Sequence, residues 1–161
     1  MPTLFGRFFN PEQFAVPYDV PEEHLLDMVR WCELLLSAYL PCYAPDIRWM
    51  GAMEMGEDRE AVRREVLLNF DKALFHMDAR AKASGERGDF LAVQYVREVL
   101  KLTNLELFAL ILWLLPAYDE RFGPLLGSLQ GSQTIRRPSF DLVLKLFHFV
   151  EAAEDVPGYH R

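Results

Sequence analysis

Apolar residues return at intervals of three and four along most of this chain, the spacing of one face of an α-helix, and strand-like alternation is almost absent. Leu25, Leu26, Val29, Cys32, Leu36 and Tyr39 form a first stripe, opened by Pro21-Glu22-Glu23, a proline in the first turn with acids near the positive end of the helix dipole. Pro41 is expected to end it. A second helix, capped by Asp58 and running to about Ala83, carries Val62, Val66, Leu67, Phe70, Leu74, Met77 and Ala81 on its buried side, with Glu60 and Arg64 paired opposite. Ser84-Gly85-Glu86-Arg87-Gly88 breaks the pattern, and Asp89 is expected to cap the next helix through Phe90, Val93, Val96, Val99 and Leu100. Thr103-Asn104-Leu105-Glu106 is a capping box, in which threonine and glutamate side chains accept from each other's free backbone amides. The helix it opens is apolar nearly all round, so it belongs at the centre of a bundle, and Pro116 is expected to stop it. Asp119 begins a short helix, and Pro138-Ser139 begins a last one with Phe140, Val143, Leu144, Phe147 and Val150 turned inward. The ends differ: Pro2 to Val20 is rich in aromatics and prolines without a period and reads as an arm on the surface, and Ala152 to Arg161 reads as a frayed tail. The pattern predicts an all-α, multi-helical bundle.

Composition narrows what such a bundle does. With 161 residues, 51% of them hydrophobic, the chain can build a real core as one domain or as a small domain with a helical extension. A formal charge of −7 removes the global attraction that drives most nucleic-acid binding. The longest apolar run, Leu107 to Leu115, is about half the roughly 20 residues needed to cross a bilayer, so no membrane span is expected. The N-terminus lacks the basic start and continuous apolar segment of a secretion signal, which makes a cytoplasmic location the simplest reading. Cys32 and Cys42 are then reduced thiols with too few ligands nearby for zinc.

Candidate chemistry is sparse. His24 with Asp27, His76 with Asp71 and Asp78, and His148 with Glu151 are the pairings that invite an acid-base or metal reading, but each is also an ordinary contact along one helix, and none is an H-E-x-x-H. The glycines of Gly123-Pro124-Leu125-Leu126-Gly127-Ser128 stand one residue too close for a phosphate loop, and no lysine follows. These features predict no catalytic, cofactor or metal site, and no enzyme activity in this chain. Trp49, Met50, Met53 and Met55 lie in a loop without a period; they are candidates for an adaptable contact surface, although covering the core is the plainer role. Arg121, Arg136 and Arg137 cluster at the joints of the last three helices, where they could meet phosphate or an acidic protein surface. A helix-turn-helix regulator is the DNA-binding version of that arrangement. Its reading helix would offer only Asp141, Lys145 and His148 on the polar face, so nucleic acid is not the expected partner.

From Leu107 onward the text has a more specific form. Leu114-Leu115-Pro116-Ala117-Tyr118-Asp119-Glu120-Arg121-Phe122, then Leu129-Gln130, then Arg136-Arg137-Pro138-Ser139 with Leu142 and Leu146, resembles the winged-helix variant domain that precedes the ATPase module in a group of bacterial and phage-associated AAA ATPases. The resemblance covers residues 103–147. It implies a winged-helix-like three-helix core at the C-terminal end, wing strands absent or minimal, within residues 85–161, and a helical extension over residues 1–84 that can pack with it as one unit. It also implies a non-catalytic N-terminal domain that docks on the ATPase module or recruits a client protein, with possible homo-oligomers formed through the parent. ATP and magnesium would then belong to a Walker-containing module beyond Arg161. Tyr118, Asp119, Arg121, Arg136 and Arg137 would hold the helix joints, Asp119 as a cap and the arginines on free helix-end carbonyls or a neighbour's acids.

Overall fold

The structure is a computed structural model that describes residues 4–47 and 59–151. It consists of α1 (Leu4–Phe8), a 3₁₀ turn at Pro11–Gln13, α2 (Pro21–Tyr43), α3 (Arg59–Glu86), α4 (Ala92–Leu100), α5 (Asn104–Tyr118), α6 (Phe122–Leu129) and α7 (Phe140–Glu151). Among the described residues there is no strand, and the fold is all-α. Asp58, Trp49, Met50, Met53, Met55 and the tail from Ala152 lie outside the described residues, as do the side chains of Glu60 and Val62.

α2 is the axis of the bundle. It packs against α1, α3, α4, α5 and α7, and Trp31 at its middle is wholly buried. The Trp31 indole stacks on Phe70 of α3 with centroids 4.7 Å apart and meets Phe108 of α5 edge-on at 5.7 Å. Its Nε1–H donates to the Phe70 carbonyl at 3.2 Å, giving the one polar atom of the ring a partner inside the core. Ser84 and Gly85, where the sequence pattern breaks, lie inside α3, and buried residues before and after them, from Phe5 to Val150, belong to this same cluster.

Several helix limits differ from the sequence reading, each for a local reason. Pro41 and Pro116 lie inside α2 and α5, which run on to Tyr43 and Tyr118. A proline disturbs the turn that precedes it, so in a last turn it does not prevent two further residues from staying helical. Asp89 does not cap α4, because its carboxylate is paired with Arg87 at 2.5 Å and Leu91 occupies the cap position. The N-terminal arm is more than a surface strip: Phe5, Phe9 and Tyr18 are buried, and Phe5 and Phe9 stack at 5.5 Å within the main core. In α7 the inward residues are Leu142, Val143, Leu146, Phe149 and Val150, whereas Phe140 and Leu144 face solvent. That helix is apolar on two sides, so periodicity alone chose the wrong pair for its first turns.

Three helices end in the same way. After α3, Asp89 N–H donates to Ser84 O and Gly88 N–H to Gly85 O; after α6, Ser132 donates to Gly127 and Gly131 to Ser128. Both are Schellman caps with a glycine at positive φ, +96° at Gly88 and +66° at Gly131. α4 closes with the same bonds, Leu102 to Arg97 and Lys101 to Glu98, but the left-handed residue is Lys101 at φ +52°. A side chain there costs about 1–2 kcal/mol in the folded state, offset in part by the greater freedom glycine has when unfolded. Lys101→Gly is therefore expected to stabilise the protein by about 0.5–1 kcal/mol, measured by urea denaturation, with little change in the slope.

Candidate functional site

The last three helices meet at joints whose polar side chains are tied to the backbone. Thr103 and Glu106 make both bonds of the capping box: Glu106 N–H donates to Thr103 Oγ1 at 3.2 Å, and Thr103 N–H donates to Glu106 Oε2 at 2.7 Å. Hydrogen bonding from Thr103, its backbone amide first, holds the Glu106 carboxyl below its ordinary value. At the α5–α6 joint, Asp119 is the C-cap of α5 and stands two residues before the cap position of α6. Its Oδ1 accepts from the Arg121 amide at 3.0 Å, and its carboxylate takes the Arg121 guanidinium through Nε and Nη2. The arginine's hydrogen bonds lower the Asp119 carboxyl and raise Arg121 in return. Tyr118, beside them, is exposed.

The α6–α7 connection depends on two residues that were not among the sequence candidates. Gln130 Nε2 donates to the carbonyls of Leu126 at 2.9 Å and Arg137 at 2.8 Å, while its Oε1 accepts from Ser139 N–H at 2.8 Å. One amide thus closes the loop onto the start of α7, where Ser139 Oγ caps by accepting from Leu142 N–H. Gly127 lets that loop lie directly on α6: a Cβ there would come 2.4 Å from the Ile135 carbonyl oxygen and 2.8 Å from that of Ser132. Gly123 does the same for Arg136, whose Cδ stands 3.0 Å from the place a Cβ would occupy. The two glycines that imitate a phosphate loop are therefore contacts between chain segments.

Arg137 donates to the carbonyl of Trp113, three residues before Pro116, and lays its guanidinium over the Trp113 ring at 4.2 Å. Arg121 is held by Asp119, and the aliphatic part of Arg136 lies on Gly123. Arg121 and Arg136 still line an open hollow with Pro116, Glu120 and Pro124. On α7 the outward side presents Phe140, 76% exposed, and Leu144, 40% exposed. The lysine of that face, Lys145, is bound to Asp141 at 2.8 Å, which raises its pKa. Asp141 and His148 are exposed on the same side, so this face mixes apolar and polar groups.

A family model described as the variant winged helix domain matches residues 10–156. The chain belongs to that family. The match is wider than the stretch from Thr103 to Phe147 and takes in the second half of the arm, α2 and α3. The family description concerns the domain and names no ATPase. No curated protein and no solved structure shows a significant match.

The winged helix variant carries a second polar constellation, on its N-terminal side. Tyr18 is buried with its phenol donating to Asp27 Oδ2 at 2.8 Å, its amide donating to Ser84 Oγ at 2.9 Å and its carbonyl accepting from Arg87. Arg80 lies over the Tyr18 ring at 4.0 Å, donates to the Val16 carbonyl at 2.9 Å and reaches Asp27 at 3.6 Å. Burial raises the Tyr18 phenol beyond its usual range, and burial also lifts Asp27 against the pull of Tyr18 and Arg80. This cluster straps the arm to α2 and α3. The sequence pairs dissolve in it: Asp27 goes to Tyr18 and to Arg80, and Asp78 goes to Arg97 at 2.6 Å. His76 packs among Phe5, Phe9 and Phe14, and the Glu151 side chain expected beside His148 is outside the described residues. Among the described residues no group of ligands could hold a metal ion, and no helix is long and apolar enough to cross a membrane.

His24 gives this strap a pH dependence. It is 1% exposed, rests against the Tyr18 ring at 5.3 Å and has no partner for Nε2. Burial, with Arg97 and Arg80 nearby, lowers its pKa to about 4. Between the ordinary value near 6.5 and pH 4, the unfolded chain takes up a proton that the folded chain refuses, so stability falls as pH falls through that window. The loss should reach about 3 kcal/mol at the lower end. In urea titrations across that range, His24→Gln should flatten the acid limb by that amount; an unchanged limb would show that His24 is not its source.

Proposed function

We propose that this winged helix variant is a protein-docking module, non-catalytic in itself, that presents the outward face of α7 to a protein partner. The observation that carries the reading is Phe140, 76% exposed beside Leu144 on a helix whose lysine is paired with Asp141. Large apolar side chains on a rigid helix are the usual material of protein contacts. The resemblance of residues 103–147 adds the setting: the N-terminal domain of an AAA ATPase, docking on the ATPase module or recruiting a client, with hydrolysis supplied elsewhere in the parent polypeptide. Tyr118, Asp119, Arg121, Arg136 and Arg137 serve here as joint residues that fix the aim of α7, and the location is cytoplasmic.

DNA binding in the manner of a helix-turn-helix regulator is the competing reading. Fluorescence anisotropy with generic duplex DNA at about 50 mM and about 200 mM salt separates the two, because phosphate contacts release counterions and weaken steeply over that range. The docking reading expects no saturable binding at either salt. Salt-dependent binding that Arg136→Ala or Arg137→Ala weakens would replace it with the DNA reading. The ATPase setting is tested separately by the coding sequence that follows Arg161, which should lead into a strand and a G-x-x-x-x-G-K-[ST] loop. If it does, Phe140→Ser with Leu144→Ser should weaken association between this domain and its partner at least tenfold without altering the helical circular dichroism of the domain.

A further inference from the structure

A different surface, independent of the α7 face, lies between the C-terminal half of α3 and α4. None of the residues of α4 is fully buried, although the helix is amphipathic, and Tyr95, Val99 and Leu100 are 54%, 57% and 64% exposed. Phe90, in the turn before α4, is 63% exposed and touches Tyr95 with ring centroids 5.4 Å apart. This aromatic pair borders a groove of about 480 Å³ against α3. Phe90 and Tyr95 together form a contiguous exposed aromatic patch beside that groove.

The charges around the groove say what kind of occupant fits. Asp78, Glu86, Asp89 and Glu98 line it, against Lys82 as the one lysine or arginine of the lining. Asp78 is bound to Arg97 and Asp89 to Arg87, which leaves Glu86 and Glu98 against Lys82, a net negative lining. Gln94 donates its amide to Glu98 at 3.0 Å, while its own Oε1 has no donor. A cationic head entering here finds two aromatic faces and two carboxylates. A second copy of this chain fits poorly, since the chain carries −7 and a twofold pairing on this face would set the same acids against each other.

We propose that the α3–α4 groove docks a basic segment of a partner protein, with its apolar side chains against Phe90 and Tyr95 and a lysine or arginine over those rings against Glu86 and Glu98. A fluorescein-labelled peptide of alternating leucine and arginine, and its leucine–glutamate counterpart, are the probes, read by anisotropy near physiological salt. The leucine–arginine peptide should bind saturably and the acidic one should not. Phe90→Ala with Tyr95→Ala, and separately Glu86→Gln with Glu98→Gln, should each weaken binding at least tenfold. Phe140→Ser with Leu144→Ser should leave it unchanged, so failure at this groove is distinguishable from failure at α7. Glu12→Gln with Glu120→Gln, which removes two exposed charges elsewhere, should also leave it unchanged. Equal loss from that control pair would reduce the effect to net charge and overturn the proposal, as would binding indifferent to the groove variants, equal binding of the acidic peptide, or no binding at all. A concentration-dependent dimer in sedimentation that Phe90→Ala with Tyr95→Ala abolishes would overturn it in favour of a second copy.

Discussion

The hydrogen bond from the Trp31 indole to the Phe70 carbonyl is the contact on which the packing of this domain turns. A buried indole N–H without a partner costs about 1–3 kcal/mol, and here the partner is a backbone oxygen of the neighbouring helix. That bond fixes the ring flat on Phe70 and leaves its edge for Phe108, so one side chain sets the spacing of α2, α3 and α5. With those three helices in place, α7 closes the far side through Phe149 against Tyr39, and the arm closes the near side through Phe5 of α1 and Phe9 just after it. Dispersion and burial supply most of the energy, but the polar bond chooses the register.

Around this core the charged residues are occupied mainly with holding helix ends and the arm. Arg137 serves the Trp113 carbonyl, Arg121 serves Asp119, and Arg80 and Arg87 hold the backbone of the arm. This arrangement inverts the expectation for a three-helix unit that reads nucleic acid, in which basic side chains point outward and apolar ones inward. Here large apolar side chains stand outward, Tyr95, Val99 and Leu100 on α4 and Phe140 and Leu144 on α7, the latter two among exposed Asp141, Lys145 and His148.

How much of this the sequence discloses depends on how local each cause is. The capping box at Thr103 and Glu106 is legible because both partners lie within four residues, and the stripe from Val66 to Ala81 is legible because its members recur at helical spacing, although Leu68 and Phe75 of the same helix are exposed. The exposure of Phe140 was not legible, since α7 is apolar on two sides and only the position of α2 decides which side is covered. The arm was misread for a related reason: Phe5, Phe9 and Tyr18 have no period, and their burial is created by residues more than fifty positions away, such as His76, Arg80 and Ser84. Gln130 was visible only as part of a resemblance, because its role requires the carbonyl of Arg137 and the amide of Ser139 to fold back onto it. Trp49 and the methionines beside it remain a sequence feature, lying outside the described residues.

The central physical claim is that Trp31 couples the N-terminal helices to the three-helix unit in one cooperative structure, and native-state hydrogen exchange measures this most directly. The slowest amides of α2, α3, α5 and α7 should exchange with one common opening free energy, and Trp31→Phe should lower it equally in all four helices. Separate opening of α5 to α7, with a free energy that Trp31→Phe does not change, would contradict the account.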